Sequence, residues 1–148
     1  MYRAIDVAHY IIDYCDKHNI KMSNLKLQKV LYFVQAQFLV ASSGTTPCFE
    51  DDIEAWDFGP VVPKVYQMYK IFGSSNISID PKDPLNGYYE KIKPSDRNLI
   101  DRMIQRTIPY SAAQLVQITH NQAPWKNGYR PRMNRVISNE SIYDFFKE

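Results

Sequence analysis

The chain has 148 residues, 45% apolar and 14% aromatic, enough for one sizeable core in a single domain spanning 1–148. With 18 Lys plus Arg against 16 Asp plus Glu the formal net charge is +2, which excludes a wholesale nucleic-acid binder and an acidic disordered chain. Two cysteines, Cys15 and Cys48, cannot build a disulfide framework, so a cytoplasmic protein with reduced thiols is expected.

Asp6 interrupts the apolar run that a secretory signal would need, and none is expected. Across residues 2–18 the apolar positions Ile5, Ala8, Ile12 and Cys15 recur at helical spacing, which predicts an amphipathic helix. A second helix is predicted from Ser23 or Asn24 to Gly44, with a middle so apolar around its circumference that it should be the central element. Its apolar part, about 12 residues or roughly 18 Å, falls short of a ~30 Å hydrocarbon core, so no membrane span is expected.

Residues 53–58 read as an extended segment without a clean apolar face. Gly59-Pro60 breaks the chain, and Pro63 suits the first position of a helix running through Val65, Tyr66 and Tyr69 to Gly73. Ile77 to Ile79 could form a short partner strand, and residues 80–87, with two prolines and an Asn-Gly pair, read as a loop.

After Pro94, Ser95 can cap a helix with a buried stripe of Leu99, Ile100, Met103, Ile104 and Ile108, ended by Pro109. Ser111 and Gln114 have capping-box spacing, opening a helix toward His120. Pro124 and Pro131 predict an irregular region, and a short C-terminal helix should start near Ser138. The fold class is mainly α, a single compact helical domain with a minor short β element.

Charge is unevenly spread. Residues 30–63 contain five acids (Glu50, Asp51, Asp52, Glu54, Asp57) and no Lys or Arg, whereas residues 102–139 contain six basic residues and no acid. Lys126, Arg130, Arg132 and Arg135 interleave with Trp125 and Tyr129, a pattern that can grip nucleic acid. The alternative is a solvated face, or a patch that pairs with the acidic run of the same molecule. Near-neutral net charge withholds the counterion-release term that usually dominates nucleic-acid affinity, so nucleic acid is the weaker expectation.

Chemistry finds little support. Cys15 and His18 have the spacing of a metal-ligand pair but no second pair, and a core cysteine beside a surface histidine explains them. Asp51, Asp52 and Glu54 read as a solvated acidic loop rather than a Mg²⁺ site. No phosphate-binding or nucleophile-elbow motif occurs. No enzyme activity, metal or cofactor is expected.

Three ordered stretches, SNLKLQKVLYFVQA (23–36), IEAWDFGPVVPKVY (53–66) and ITHNQAPW (118–125), together resemble the Panacea domain of phage-associated proteins and SocA-like antitoxins. The resemblance implies a helical, non-catalytic domain that binds and neutralises a protein toxin encoded beside it or delivers that toxin to an ATP-dependent protease. It spans essentially the whole chain, so the toxin is expected as a separate chain. Binding of a host defence component by a phage-encoded protein follows the same logic. Phe58 departs from the Tyr such domains carry before Gly-Pro.

Among the matching residues, Leu27, Leu31, Tyr32 and Tyr66 read as core, and Gly59-Pro60 as a backbone requirement. Gln28 should bond backbone near Gly59 or His120, and His120 reads as a satisfied structural histidine. The partner-binding surface is expected where the Trp56, Asp57, Phe58 and Pro60 turn meets His120, Trp125 and Lys126. The competing reading has these loops simply packing on each other.

Overall fold

Asp51 opens the first helix, α1 (Ala4–Lys17), because its carboxylate accepts the otherwise orphaned Ala4 amide at 2.8 Å. The computed structural model describes residues 1–78, 80 and 91–148. The second helix, α2 (Asn24–Ala41), is capped by the Ser23 hydroxyl accepting from the Lys26 amide at 3.2 Å. Only Ala41 of its 18 residues is exposed. It contacts helices from both halves of the chain and is the central element the sequence predicts.

Leu27, Val30, Leu31, Tyr32, Val34 and Leu39 of α2 pack with Ile11 and Ile12 of α1 in one core cluster. Each such side chain contributes roughly 1.5 to 3 kcal/mol on burial. The helix ends at Ala41, earlier than the expected Gly44. Gly44 nevertheless closes it, since its amide donates to the Leu39 carbonyl at 2.7 Å.

Strands β1 (Ile53–Trp56) and β2 (Gly59–Val61) form an antiparallel hairpin with Asp57 and Phe58 at the tip, and Trp56 pairs with Gly59. A third strand, β3 (Arg135–Ile137), pairs with the other side of β1, setting Ile53 opposite Ile137. Helix α3 (Pro63–Tyr69) has proline in its first turn, as predicted, and runs into a 3-10 turn (Lys70–Phe72) closed by Gly73.

Helix α4 (Pro94–Thr107) begins at Pro94 itself, so Lys93 and not Ser95 occupies the cap position. Its buried residues are Ile100, Met103, Ile104 and Thr107, whereas Leu99 is partly covered and Ile108 is 39% exposed. Helix α5 (Ala112–His120) carries the predicted capping box of Ser111 and Gln114. The region expected to be irregular holds a short helix, α6 (Ala123–Gly128), with Pro124 in its first turn, followed by β3. Helix α7 (Asn139–Phe146) is capped by Ser138, as predicted. Ile77 is buried outside any strand, with its amide on the Met22 carbonyl at 2.9 Å. Ile79 and residues 81–87 lie outside the described residues.

Three buried polar side chains of α2 bind backbone groups of the loop at 48–49 and of the hairpin and its exit. Gln35 accepts the Cys48 and Phe49 amides at 2.8 and 3.1 Å and donates to the Phe49 carbonyl at 2.9 Å. Gln28, two turns earlier on the same face, accepts the Val62 amide at 2.9 Å and donates to Asn24 at 2.9 Å. Lys29 donates to the Pro60 carbonyl at 3.0 Å. The helix therefore positions the hairpin through hydrogen bonds as well as through packing.

Candidate functional site: a hairpin turn clasped from two sides

Three side chains from the 120–129 stretch hold the outer side of the hairpin tip. His120 donates through Nε2 to the Asp57 carbonyl at 2.9 Å, Trp125 donates its indole N–H to the Trp56 carbonyl at 2.8 Å, and Tyr129 donates its hydroxyl to the Asp57 carboxylate. The three rings stack on one another. His120 and Trp125 have centroids 4.0 Å apart, and Trp125 and Tyr129 4.5 Å apart, at interplanar angles of 21° and 18°. The hydrogen bond from Tyr129 to Asp57 raises the phenol's pKa above its usual value.

From the inner side, α2 grips the same hairpin. Lys29 is fully buried with the Pro60 carbonyl as its hydrogen-bond acceptor, and loss of solvent pushes its amine from 10.5 down to about 7. Gly59, at φ 106°, lies against Lys29 and Thr119, where a Cβ would sit 2.7 Å from Lys29 Cε and 2.9 Å from Thr119 Oγ1. Gln28 bonds the Val62 amide, three residues beyond Gly59, close to where the sequence placed its partner.

The turn and the 118–125 stretch thus meet, as expected, and the residues predicted there take different parts. Trp56 is half-buried, with its indole N–H on the Glu54 carboxylate at 2.9 Å and its ring edge-on to Tyr66 at 5.1 Å. Pro60 is buried and contributes its carbonyl rather than a surface. His120 and Trp125 are partly buried in the clasp, while Asp57 and Lys126 are exposed. Phe58 is 67% exposed at the tip. The two loops are joined by the hydrogen bond from the Trp125 indole to the Trp56 carbonyl. Trp125→Ala is accordingly expected to lower folding stability by roughly 2 to 4 kcal/mol, read from urea denaturation. An unchanged midpoint would show that the stack does not brace the turn.

Beside Phe58 the outer face of the hairpin forms a groove of about 280 Å³ floored by Leu25, Trp56, Val61 and Tyr66 and rimmed by Asp57, Arg132 and Asn134. The sequence reading missed Leu25, Val61 and Asn134, because only pairing of β3 to β1 brings the 132–134 loop over the turn. Lys126, Arg130, Arg132 and Arg135 are all exposed. Among the described residues no ion pair joins them to the acidic run. Both faces of the Trp125 ring are covered by His120 and Tyr129, which removes it as a platform for stacking a base.

The positions weighed for chemistry have structural work. Cys15 is buried with its thiol raised by burial to about 11, and His18 is an exposed ring stacked on Tyr14 at 4.1 Å. Asp51 caps α1, Glu54 holds the Trp56 indole, and both line an open acidic cleft with Asp52 and Glu50. Among the described residues, no group of three or more His, Cys, Asp or Glu side chains could hold a metal ion. Among the same residues, no helix is long and apolar enough to cross a membrane.

Fold and site together define a mainly helical domain, organised about one buried helix, that displays a hairpin turn held on both sides. Residues 27–126 match the family described as Antitoxin SocA-like, Panacea domain, and the chain belongs to that family. It is 36% identical over 126 residues to Antitoxin SocA of Caulobacter vibrioides (strain NA1000 / CB15N). That match covers 80% of this chain and 66% of the relative, so the chain spans just under two-thirds of the relative's length. No solved structure matches it.

Proposed function

We propose that this chain is a non-enzymatic antitoxin, a single domain that neutralises a separate protein toxin by binding it through the displayed hairpin turn. The observation that carries this reading is Phe58, a large apolar side chain 67% exposed on a turn whose backbone is hydrogen-bonded from both sides. An exposed aromatic on a pre-ordered turn gives a partner contact area at little entropic cost. Family membership and the relative's name, Antitoxin SocA, supply the class of partner. Occlusion of the toxin is preferred over delivery to an ATP-dependent protease, because a rigid contact surface needs no further protein to act.

Co-expression with the product of the adjacent open reading frame tests the proposal. Growth arrest should be relieved and a complex should co-purify, with the toxin's half-life unchanged. A shortened half-life would favour delivery, and absence of both rescue and complex would count against the antitoxin reading. Phe58→Asp should weaken the complex by about 2 kcal/mol or more, roughly thirtyfold, while the melting temperature stays within a few degrees. Unaltered affinity in that variant would remove the turn from the interface.

A further inference from the structure

The groove beside Phe58 has a chemistry that narrows what it can accept. Its floor is apolar, made by Leu25, Trp56, Val61 and Tyr66, and its volume of about 280 Å³ is below that of a drug-sized ligand pocket and suits one or two side chains. Its rim is not neutral. Arg132 stands over it, in a stretch where residues 102–139 supply no carboxylate, and forms no ion pair among the described residues. The carboxylates nearest the turn are already engaged, Asp57 by the Tyr129 hydroxyl and Glu54 by the Trp56 indole. Asp57 lines the same groove and keeps its negative charge, but its carboxylate already accepts the Tyr129 hydroxyl, whereas Arg132 is the cation of this lining and has no acidic partner among the described residues.

Two further observations extend this. Apolar surface continues past the rim, since Met133 is 65% and Val136 is 52% exposed. The floor also lies mostly within the stretch that matches the family, residues 27–126, whereas Arg132, Met133 and Asn134 lie beyond it. Arg132 and Asn134 adopt left-handed backbone, φ 64° and 46°, which turns this loop across the hairpin.

We infer that the groove accepts a bulky apolar side chain of the protein partner, flanked by a carboxylate that pairs with Arg132. The inference rests on the antitoxin reading for the identity of the partner and adds to it the recognition chemistry. Phe58 and the floor take the apolar side chain, and Arg132 offers a planar two-pronged donor to the acid. Arg132 is then a specificity-determining residue, set at the rim of a floor that the family match mostly covers.

Two measurements test it. In the first, N-acetyl-phenylalanine, which carries a ring and a carboxylate, is titrated into the ¹⁵N-labelled chain alongside N-acetyl-phenylalanine amide, which lacks the charge. The acid should shift the Trp56 indole and Val61 resonances at millimolar concentration and bind about fivefold or more tightly than the amide, and Arg132→Gln should erase the difference. Equal binding of acid and amide, or no shift at Trp56 and Val61, would overturn the inference. In the second, Arg132→Glu should weaken the co-purifying toxin complex by about tenfold or more. Loss of the complex in Phe58→Asp with full retention in Arg132→Glu would sink the charged anchor and leave the antitoxin reading standing. Duplex DNA binding that depends on Arg132 and falls steeply between about 50 and about 200 mM salt would assign the rim to nucleic acid instead.

Discussion

Gly59→Ala will cost roughly 3 to 5 kcal/mol of folding stability, a large share of what a domain of this size has to lose. Two causes add. The residue sits at φ 106°, where a side chain is strained whatever the space around it, at roughly 1 to 3 kcal/mol. The added methyl would also lie 2.7 Å from Lys29 Cε and 2.9 Å from Thr119 Oγ1. Neither neighbour yields easily. Lys29 is buried and held by the Pro60 carbonyl, and Thr119 is fully buried with its hydroxyl on the Leu115 carbonyl at 2.9 Å. Gly73→Ala separates the causes, because its φ is 57° but nothing lies within 4 Å of the added Cβ. Urea denaturation should show about 1 kcal/mol lost at Gly73 and several at Gly59. Equal losses would mean that the close approach costs nothing.

Lys29 carries the second large effect, and it depends on pH. Its folded pKa of about 7 lies below the free value of 10.5. Below about pH 7 both folded and unfolded states hold the proton, and the full penalty of burying a charge opposes folding. As pH rises past that point the folded state releases the proton while the unfolded state keeps it, so stability climbs toward 10.5. The slope should be about 1 kcal/mol per pH unit between about pH 7 and about pH 8.5. Lys29→Met keeps the length of the side chain and removes the titration, so the difference in stability between the two proteins should carry that slope, the other titrating groups being common to both. Parallel profiles for wild type and Lys29→Met would show that the buried amine does not titrate in this range.

The helical part of this fold was legible because its signals are local. The Ser23 and Ser138 caps, the Ser111 and Gln114 box and Pro63 at a helix start each act within one turn of chain, and all are found where the residues place them. The residues alone set Pro94 just ahead of a Ser95 cap and Pro124 in an irregular region, whereas proline's fixed φ and missing N–H suit it to the first turn, where it stands in α4 and α6. The sheet was only half legible. Residues 53–58 showed as extended, but β3 is three residues long and gains its pairing from a strand far away in sequence. No period within 135–137 could reveal that.

The meeting of the turn with the 118–125 stretch was anticipated, and the division of labour inside it was not. His120, Trp125 and Tyr129 sit on two helices and the residue after them, so their stack follows no single helical spacing. Gln35 went unnoticed for a different reason. A glutamine in an apolar helix shows that a partner is needed, but its three backbone bonds to Cys48 and Phe49 are set by how the following loop folds back.

Every polar contact described for the hairpin tip uses either its backbone carbonyls or the Asp57 carboxylate, and none uses the side chain of Phe58. The neighbouring position is thus free to vary at little thermodynamic cost. Most surface substitutions change stability by no more than about 0.5 kcal/mol, so residue 58 can be exchanged for nearly any amino acid while the scaffold folds as before. A lineage facing a new target could retune recognition by point changes at this tip and along the 132–136 rim, without disturbing the helical interior. The same property makes residue 58 a natural site for laboratory diversification, with the buried amine and the ring stack serving as a fixed mount.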